Sequence, residues 1–346
     1  MLRAAAAEVA AKQATTRLAD AAQSLSGLFA INKPPGISCA GLLDYFKRNV
    51  GRSHDAIPFA EHFEREHQLR QSGKKIFRRR YALTLRVGHG GTLDVEAAGV
   101  MVVGINRGCK QLGAYLSGSK TYLANARLGA STDTQDAEGL VVGTGDAAAV
   151  TAEAVEAALP QFTGRISQQP PMFSAVRVDG KRLYEYARGG EPAPVPVRPR
   201  AVDVHSLRMT YFSNPALGQR SGQQVALPPR VADYFAEGRY RWNPDAPEMR
   251  VGHTMAPYAH DPRLPALQLF VRSGGGVYVR TLIHDLGALM GCGATMVSLV
   301  RLAQGPFRVG RDTIDAEDLP YIDRIISAMR HADSVIQQGG VPPTQS

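Results

Sequence analysis

"VGHGGTLDVEAAGVMVVG", Val87 to Gly104, sets a single carboxylate, Asp94, after a run of glycines and ahead of a long apolar segment. The "VMVVGI" portion is β-branched and apolar enough for a buried strand. Asp94 therefore stands where the chain turns toward the core. A carboxylate in that position needs a partner, or it is strongly destabilising or protonated.

The flanking sequence extends the pattern. Upstream, "LFAINKPPGIS" reads as a short strand running into a Pro-Gly turn, and "CAGLLDYFKRNV" as a helix, so the globular part begins at Gly27. Downstream, "KQLGAYL" has helical spacing, "KTYLANARLG" alternates as a half-buried strand, and "ASTDTQDAEGLVV" is a polar turn into another strand. Residues 151–160 form an acidic helix ended by Pro160, "VDGKRLYEYARGGEP" a turn and a short helix, and "RPRAVDVHSLRM" an alternating strand. In "LQLFVRSGGGVYVRTLIHDLGALMG" a strand ends at Ser273. A helix with Leu282, Ile283, Leu286 and Leu289 on its apolar stripe follows, carrying Tyr278 and Arg280 in its first turn. Strands joined sometimes by helices and sometimes by tight turns predict an α+β fold.

The remaining segments fall outside this pattern. Residues 1–26 are Ala-rich, with three cations against two acids, and fit either an amphipathic targeting helix or an unstructured extension. Residues 214–265, rich in Pro, Gly and Gln, read as a loosely ordered insertion. Residues 315–346 read as a short helical and polar tail.

The 346 residues carry 40 Lys and Arg against 31 Asp and Glu, a net charge of +9. Much of the excess is local, since Lys47 to Arg86 holds eleven basic and four acidic residues. Within it, "SGKKIFRRRY" interleaves aromatic rings with Lys74, Lys75, Arg78, Arg79 and Arg80. The segment is either a solvated loop or an arm that contacts RNA phosphates, where clustered cations release counterions and rings stack on bases. No apolar run is long enough to span a bilayer. Three widely separated cysteines, Cys39, Cys109 and Cys292, fit neither a disulfide framework nor a metal site, and point to a reducing compartment.

Familiar aspartate chemistries do not fit. No second aspartate lies two residues from Asp94, and no Asp-Thr-Gly pair, phosphate-binding loop or dinucleotide fingerprint is present. No histidine pair has metal-ligand spacing, and Glu96 is too near to act as the second carboxylate of a glycosidase.

"GHGGTLD" resembles the Gly-His-x-Gly-Thr-Leu-Asp signature of the TruB family of tRNA pseudouridine synthases. Further blocks follow in the family's order: "NKPPGIS", "KTY", "TDTQDAEG", "QQPPMFSAVRVDGKRLYEYARGG", "GGVYVRTLIHDLG" and "LVRLAQGPF". The resemblance implies a pseudouridine synthase fold, with a central mixed, mainly antiparallel sheet flanked by helices. A single catalytic domain would occupy residues 27–314, interrupted by the basic insertion 49–86 and the loose one at 214–265, elaborations of eukaryotic type.

It also implies the chemistry: cleavage of the uracil N1 to ribose C1′ bond, rotation of the base and rejoining through C5, with neither cofactor nor metal. Asp94 would attack C1′ or take part in a glycal route, and Tyr122 would pack on the base and serve as a candidate base. Arg280 would pair with Asp94, thereby answering its need for a partner. Tyr278 and Leu299 would line the pocket, Lys33 would join the substrate-binding set, and His89 would hold or replace the flipped nucleotide. The Asp133, Asp136 and Glu138 cluster reads as a capping and turn network.

The implied partner is the T-arm of tRNA, with uridine 55 as the target, or other RNAs that fold like a T loop. With only residues 316–346 beyond Asp315, a PUA domain and a guide RNA are not expected, and the enzyme is read as an intracellular monomer. Nucleus, mitochondrion and cytoplasm stay open. Val95 stands where the family usually has Pro, and Gly90 or Gly91 where it has Thr or Ser.

Overall fold

Helix α1, Cys39–Asn49, starts because the Ser38 hydroxyl accepts from the Gly41 N–H at 2.9 Å, and Lys47 and Arg48 in its last turn complement the helix dipole. Its apolar stripe of Leu42, Leu43 and Phe46 is buried, with the Phe46 ring 5.8 Å from that of Phe29 on strand β1, Gly27–Lys33. The computed structural model describes residues 25–50, 56–72, 85–236 and 249–339. The described residues divide into two compact units, those within 25–118 together with 302–339, and those within 119–301.

In the first unit β1 pairs antiparallel with the fully buried β3, Ala98–Ile105, and β3 pairs with the short β2, Val87–His89. A helix α2, Phe59–Gln71, lies within the basic insertion. It docks on α1 through Tyr45, whose ring is 5.1 Å from Phe59 and 5.0 Å from His62. Helix α3, Leu112–Ser117, follows β3 after the 3₁₀ helix Asn106–Gln111. The segment expected as a tail also belongs here. Strand Thr313–Asp315 pairs in parallel with β1, Asn32 donates to Asp315 at 3.0 Å, and helix Ile322–Gly339 buries Ile325, Ala332 and Val335. Residues 1–24 and the arm carrying Lys74 to Arg80 lie outside the described residues.

In the second unit β4, Lys120–Leu128, is a central strand, more buried than its alternation suggests. The hairpin β5, Ala130–Thr132, and β6, Val141–Thr144, follows it. Helix α4, Ala152–Ala158, is capped by Thr151, and Pro160 sits inside the 3₁₀ turn that continues it. Strand β7 is Gly164–Gln168, the small hairpin β8–β9 is Arg177–Val178 with Lys181–Arg182, and α5 is Leu183–Arg188. The long β10, Arg200–Asn214, pairs with β7, with β11, Gln219–Gly222, and with β12, Ala266–Ser273, which in turn pairs with β4. Helix α6 is Pro229–Ala236, α7 is Val279–Leu289, and β13, Ala294–Gln304, neighbours β4. On α7 the predicted stripe is buried except Leu289, which is 46% exposed at the helix end.

The segment 214–265 is not uniformly loose. Met255, Tyr258 and Ala259 belong to a buried cluster with Ala130, Ala137, Val141 and Val297. Arg127 donates to the Ala259 and Leu264 carbonyls at 2.9 and 3.0 Å, and the buried Asn214 amide reaches the carbonyls of Ala147, Ala148 and Val150. These are single apolar residues among prolines and polar groups, a pattern without helix or strand period.

Candidate active site

The turn from β2 to β3 places Asp94. Gly90 and Gly91, one of which stands where the family has Thr or Ser, are both required by their surroundings. A Cβ at Gly90 would lie 2.5 Å from that of Tyr115, and Gly91 has φ +141°. Gln304, fully buried, accepts from the Val102 N–H at 3.1 Å and donates to the Gly90 carbonyl at 2.5 Å, fixing the start of the turn. Beyond it, the Val95 carbonyl accepts from the Gly36 N–H at 2.8 Å and from Lys33 Nζ at 2.9 Å. Asp94 itself is half-buried, and its carbonyl accepts from the Ala97 N–H at 3.2 Å.

Lys33, expected among the substrate-binding side chains, lies beside the Asp94 turn. It is fully buried, and its ammonium donates to the carbonyls of Pro34, Ile37 and Val95. An ammonium has three donors, so Lys33 braces the Asp94 turn. Val95 in place of Pro keeps the carbonyl that this brace uses. His89 is half-buried on β2, and its Nδ1 accepts a long 3.4 Å bond from the Gly91 N–H, which puts the proton of a neutral ring on Nε2.

In the second unit, Tyr278 and Arg280 open α7. Gln168 clamps Tyr278 by donating to its carbonyl at 3.0 Å and accepting from its N–H at 2.8 Å. The buried Arg280 guanidinium donates to the Thr134 carbonyl at 3.0 Å and the Phe173 carbonyl at 2.7 Å. It lies 3.8 Å from an Asp136 carboxylate oxygen and 5.9 Å from the Tyr278 ring centre. It therefore ties α7 to the Thr-Asp-Thr-Gln-Asp loop and to the Pro-Pro-Met-Phe-Ser segment. In that loop, Asp136 accepts from the Thr134 hydroxyl at 2.6 Å and the Glu138 N–H at 3.1 Å, and Asp133 accepts from the Leu140 N–H at 2.9 Å. The capping network read from the sequence is present. Among the described residues no group of His, Cys, Asp and Glu could hold a metal ion, and no helix is long and apolar enough to cross a membrane.

Tyr122 and Leu299 are buried on neighbouring strands. Asn125 donates to Ser298 at 2.8 Å, so strand alternation puts Lys120, Tyr122, Leu299 and Arg301 together on the opposite face. Sequence reasoning passed over Lys120 and Arg301, although "KTY" and "LVR" contain them. Both are buried, and burial, followed by the charge of Arg301, pushes the Lys120 amine down from 10.5 to about 8. The folded chain then holds fewer protons at Lys120 than the unfolded chain does between those values, so stability rises with pH across that window. In urea unfolding followed from pH 7.5 to about 10, wild type is expected to gain stability on Lys120→Met as pH rises. A constant difference would contradict the burial assigned to Lys120.

Residues 74–226 match the TruB family pseudouridylate synthase N-terminal domain, and residues 280–333 the tRNA pseudouridylate synthase B C-terminal domain. The chain is 33% identical to pseudouridylate synthase TRUB1 of Mus musculus over 322 residues, 93% of this chain and 75% of that protein. It is 32% identical to tRNA pseudouridine synthase 4 of Schizosaccharomyces pombe over 328 residues, 81% and 79% of the two chains. It is 35% identical to tRNA pseudouridine synthase B of Synechocystis over 253 residues, 73% and 67%. A solved structure described as a Cbf5-Nop10-Gar1 complex is 20% identical, with a TM-score of 0.45 over 88% of this chain and 59% of that one. The class is that of an isomerase with an α+β fold and a mixed central sheet flanked by helices. The chain belongs to the TruB family of pseudouridine synthases, whose activity is the isomerisation of uridine to pseudouridine.

Proposed function

We propose that this chain converts uridine 55 in the T loop of tRNA to pseudouridine as a stand-alone, monomeric enzyme without cofactor or guide RNA. The relatives named as tRNA pseudouridine synthases support tRNA as the substrate. The observation that carries the assignment of the catalytic group is the Asp94 turn. Its backbone is fixed on both sides by buried groups, while the carboxylate-bearing residue is left half-buried.

In this reading Asp94 attacks ribose C1′ as the N1–C1′ bond breaks, or assists removal of the C2′ proton on a glycal route. Tyr122 packs on the uracil as it turns and is the candidate base for that proton. Arg280 supplies the countercharge for Asp94, Tyr278 and Leu299 bound the base, and His89 holds the place of the flipped nucleotide. Lys74, Lys75, Arg78, Arg79 and Arg80 contact RNA phosphates.

The test is to incubate the protein with an unmodified tRNA transcript and map pseudouridine by carbodiimide modification and primer extension. A stop reporting position 55 alone is expected. Modification at another uridine would overturn the site, and none with folded, tRNA-binding protein would overturn the reading in favour of a binding factor.

A further inference from the structure

We infer that Cys39 is a positioning residue for the Asp94 carboxylate, holding the peptide group that immediately precedes it. The inference rests on the assignment of Asp94 as the catalytic carboxylate. The Leu93 N–H donates to Cys39 Sγ at 3.2 Å, and the thiol donates to the Leu93 carbonyl at 3.4 Å. That carbonyl belongs to the peptide joining Leu93 to Asp94. The thiol therefore sets the plane from which the Asp94 side chain departs.

Cys39 is itself held firmly. It is the first residue of α1, next to the Ser38 cap, and only 3% exposed. Leu93 is equally buried at 3%. The arrangement divides the labour along the turn: Gln304 holds Gly90, Cys39 holds Leu93, and Lys33 with Gly36 holds Val95. Gly36, Lys33 and Asp94 fall in the motifs that mark the family, whereas nothing in those motifs marks the thiol as a partner of the catalytic turn.

Bonds to a thiol are weak, both as donor and as acceptor, so the role lies in geometry more than in stability. Reaction rates respond steeply to small misplacements, a shift of about 1 Å costing on the order of a hundredfold. Removing the thiol is therefore expected to lower the rate of the chemical step by about tenfold, with RNA affinity unchanged.

The experiment measures single-turnover rates and tRNA affinity for wild type, Cys39→Ala, Cys39→Val, Cys39→Ser and Asp94→Asn. Valine fills the space without hydrogen bonding, and serine restores a donor and an acceptor. The expected result is a rate down about tenfold in Cys39→Ala and Cys39→Val, recovery to within about threefold in Cys39→Ser, and Kd within about twofold throughout. If one of the apolar variants fails to fold, the other and the serine variant still decide the matter. Wild-type rates in a folded Cys39→Ala or Cys39→Val beside an inactive Asp94→Asn would overturn the inference alone. Turnover by Asp94→Asn would overturn the assignment on which it rests.

Discussion

Asp94→Asn is expected to lower pseudouridine formation by at least about a thousandfold, because the amide can neither attack C1′ nor assist, as a carboxylate would, removal of the C2′ proton. Both routes open to the enzyme lose the same group. The backbone of the turn is held by groups other than the carboxylate. Asp94 is half-buried, and the turn is held by Gln304, Cys39, Lys33 and Gly36 through backbone groups that asparagine leaves intact. Stability should stay within about 0.5 kcal/mol of wild type. Denaturant unfolding beside single-turnover kinetics separates the two quantities. A folded variant with near-normal turnover contradicts the role assigned to Asp94, and a variant that unfolds shows the carboxylate to be structural.

Arg280→Met carries the second large effect, on stability and activity together. The guanidinium is buried, with two carbonyl partners and the Asp136 carboxylate nearby. Methionine leaves those acceptors inside the unit with a donor removed, a loss of roughly 3–5 kcal/mol when a buried pair is broken. Arg280→Lys is not a rescue, since one ammonium on a flexible stem does not reproduce the planar fork that reaches Thr134 and Phe173 at once. Activity should fall by at least about a hundredfold even in the fraction that remains folded, because Tyr278 and the Thr-Asp-Thr-Gln-Asp loop lose their common anchor. Wild-type unfolding and turnover in Arg280→Met would contradict the anchoring role.

The elements legible in the sequence share a local signal. β3 is an unbroken apolar run, α1 has a serine cap and a helical stripe, and β1 ends at a Lys-Pro-Pro-Gly turn. What escaped has none. The parallel pairing of Thr313–Asp315 with β1 joins residues far apart in the chain, and three residues carry too little pattern to announce it. Met255, Tyr258 and Ala259 enter the core singly, from a segment whose composition reads as loop. At the site, the family blocks named Asp94, Tyr122 and Arg280, yet burial of polar groups is invisible to composition. The three carbonyls around the Lys33 ammonium could not be read from its motif, the contact of Cys39 with Leu93 could not be read from the cysteine spacing, and Gln304, Lys120 and Arg301 passed unremarked.

Tritium release from tRNA transcribed with 5-tritiated uridine tests the central claim most directly, because C5 loses its hydrogen only when it becomes bonded to C1′. Wild-type protein should release the label of one uridine per tRNA, and release should vanish both with Asp94→Asn and with a transcript carrying cytidine at position 55. Release that persists in Asp94→Asn, or that continues without uridine 55, would contradict the account.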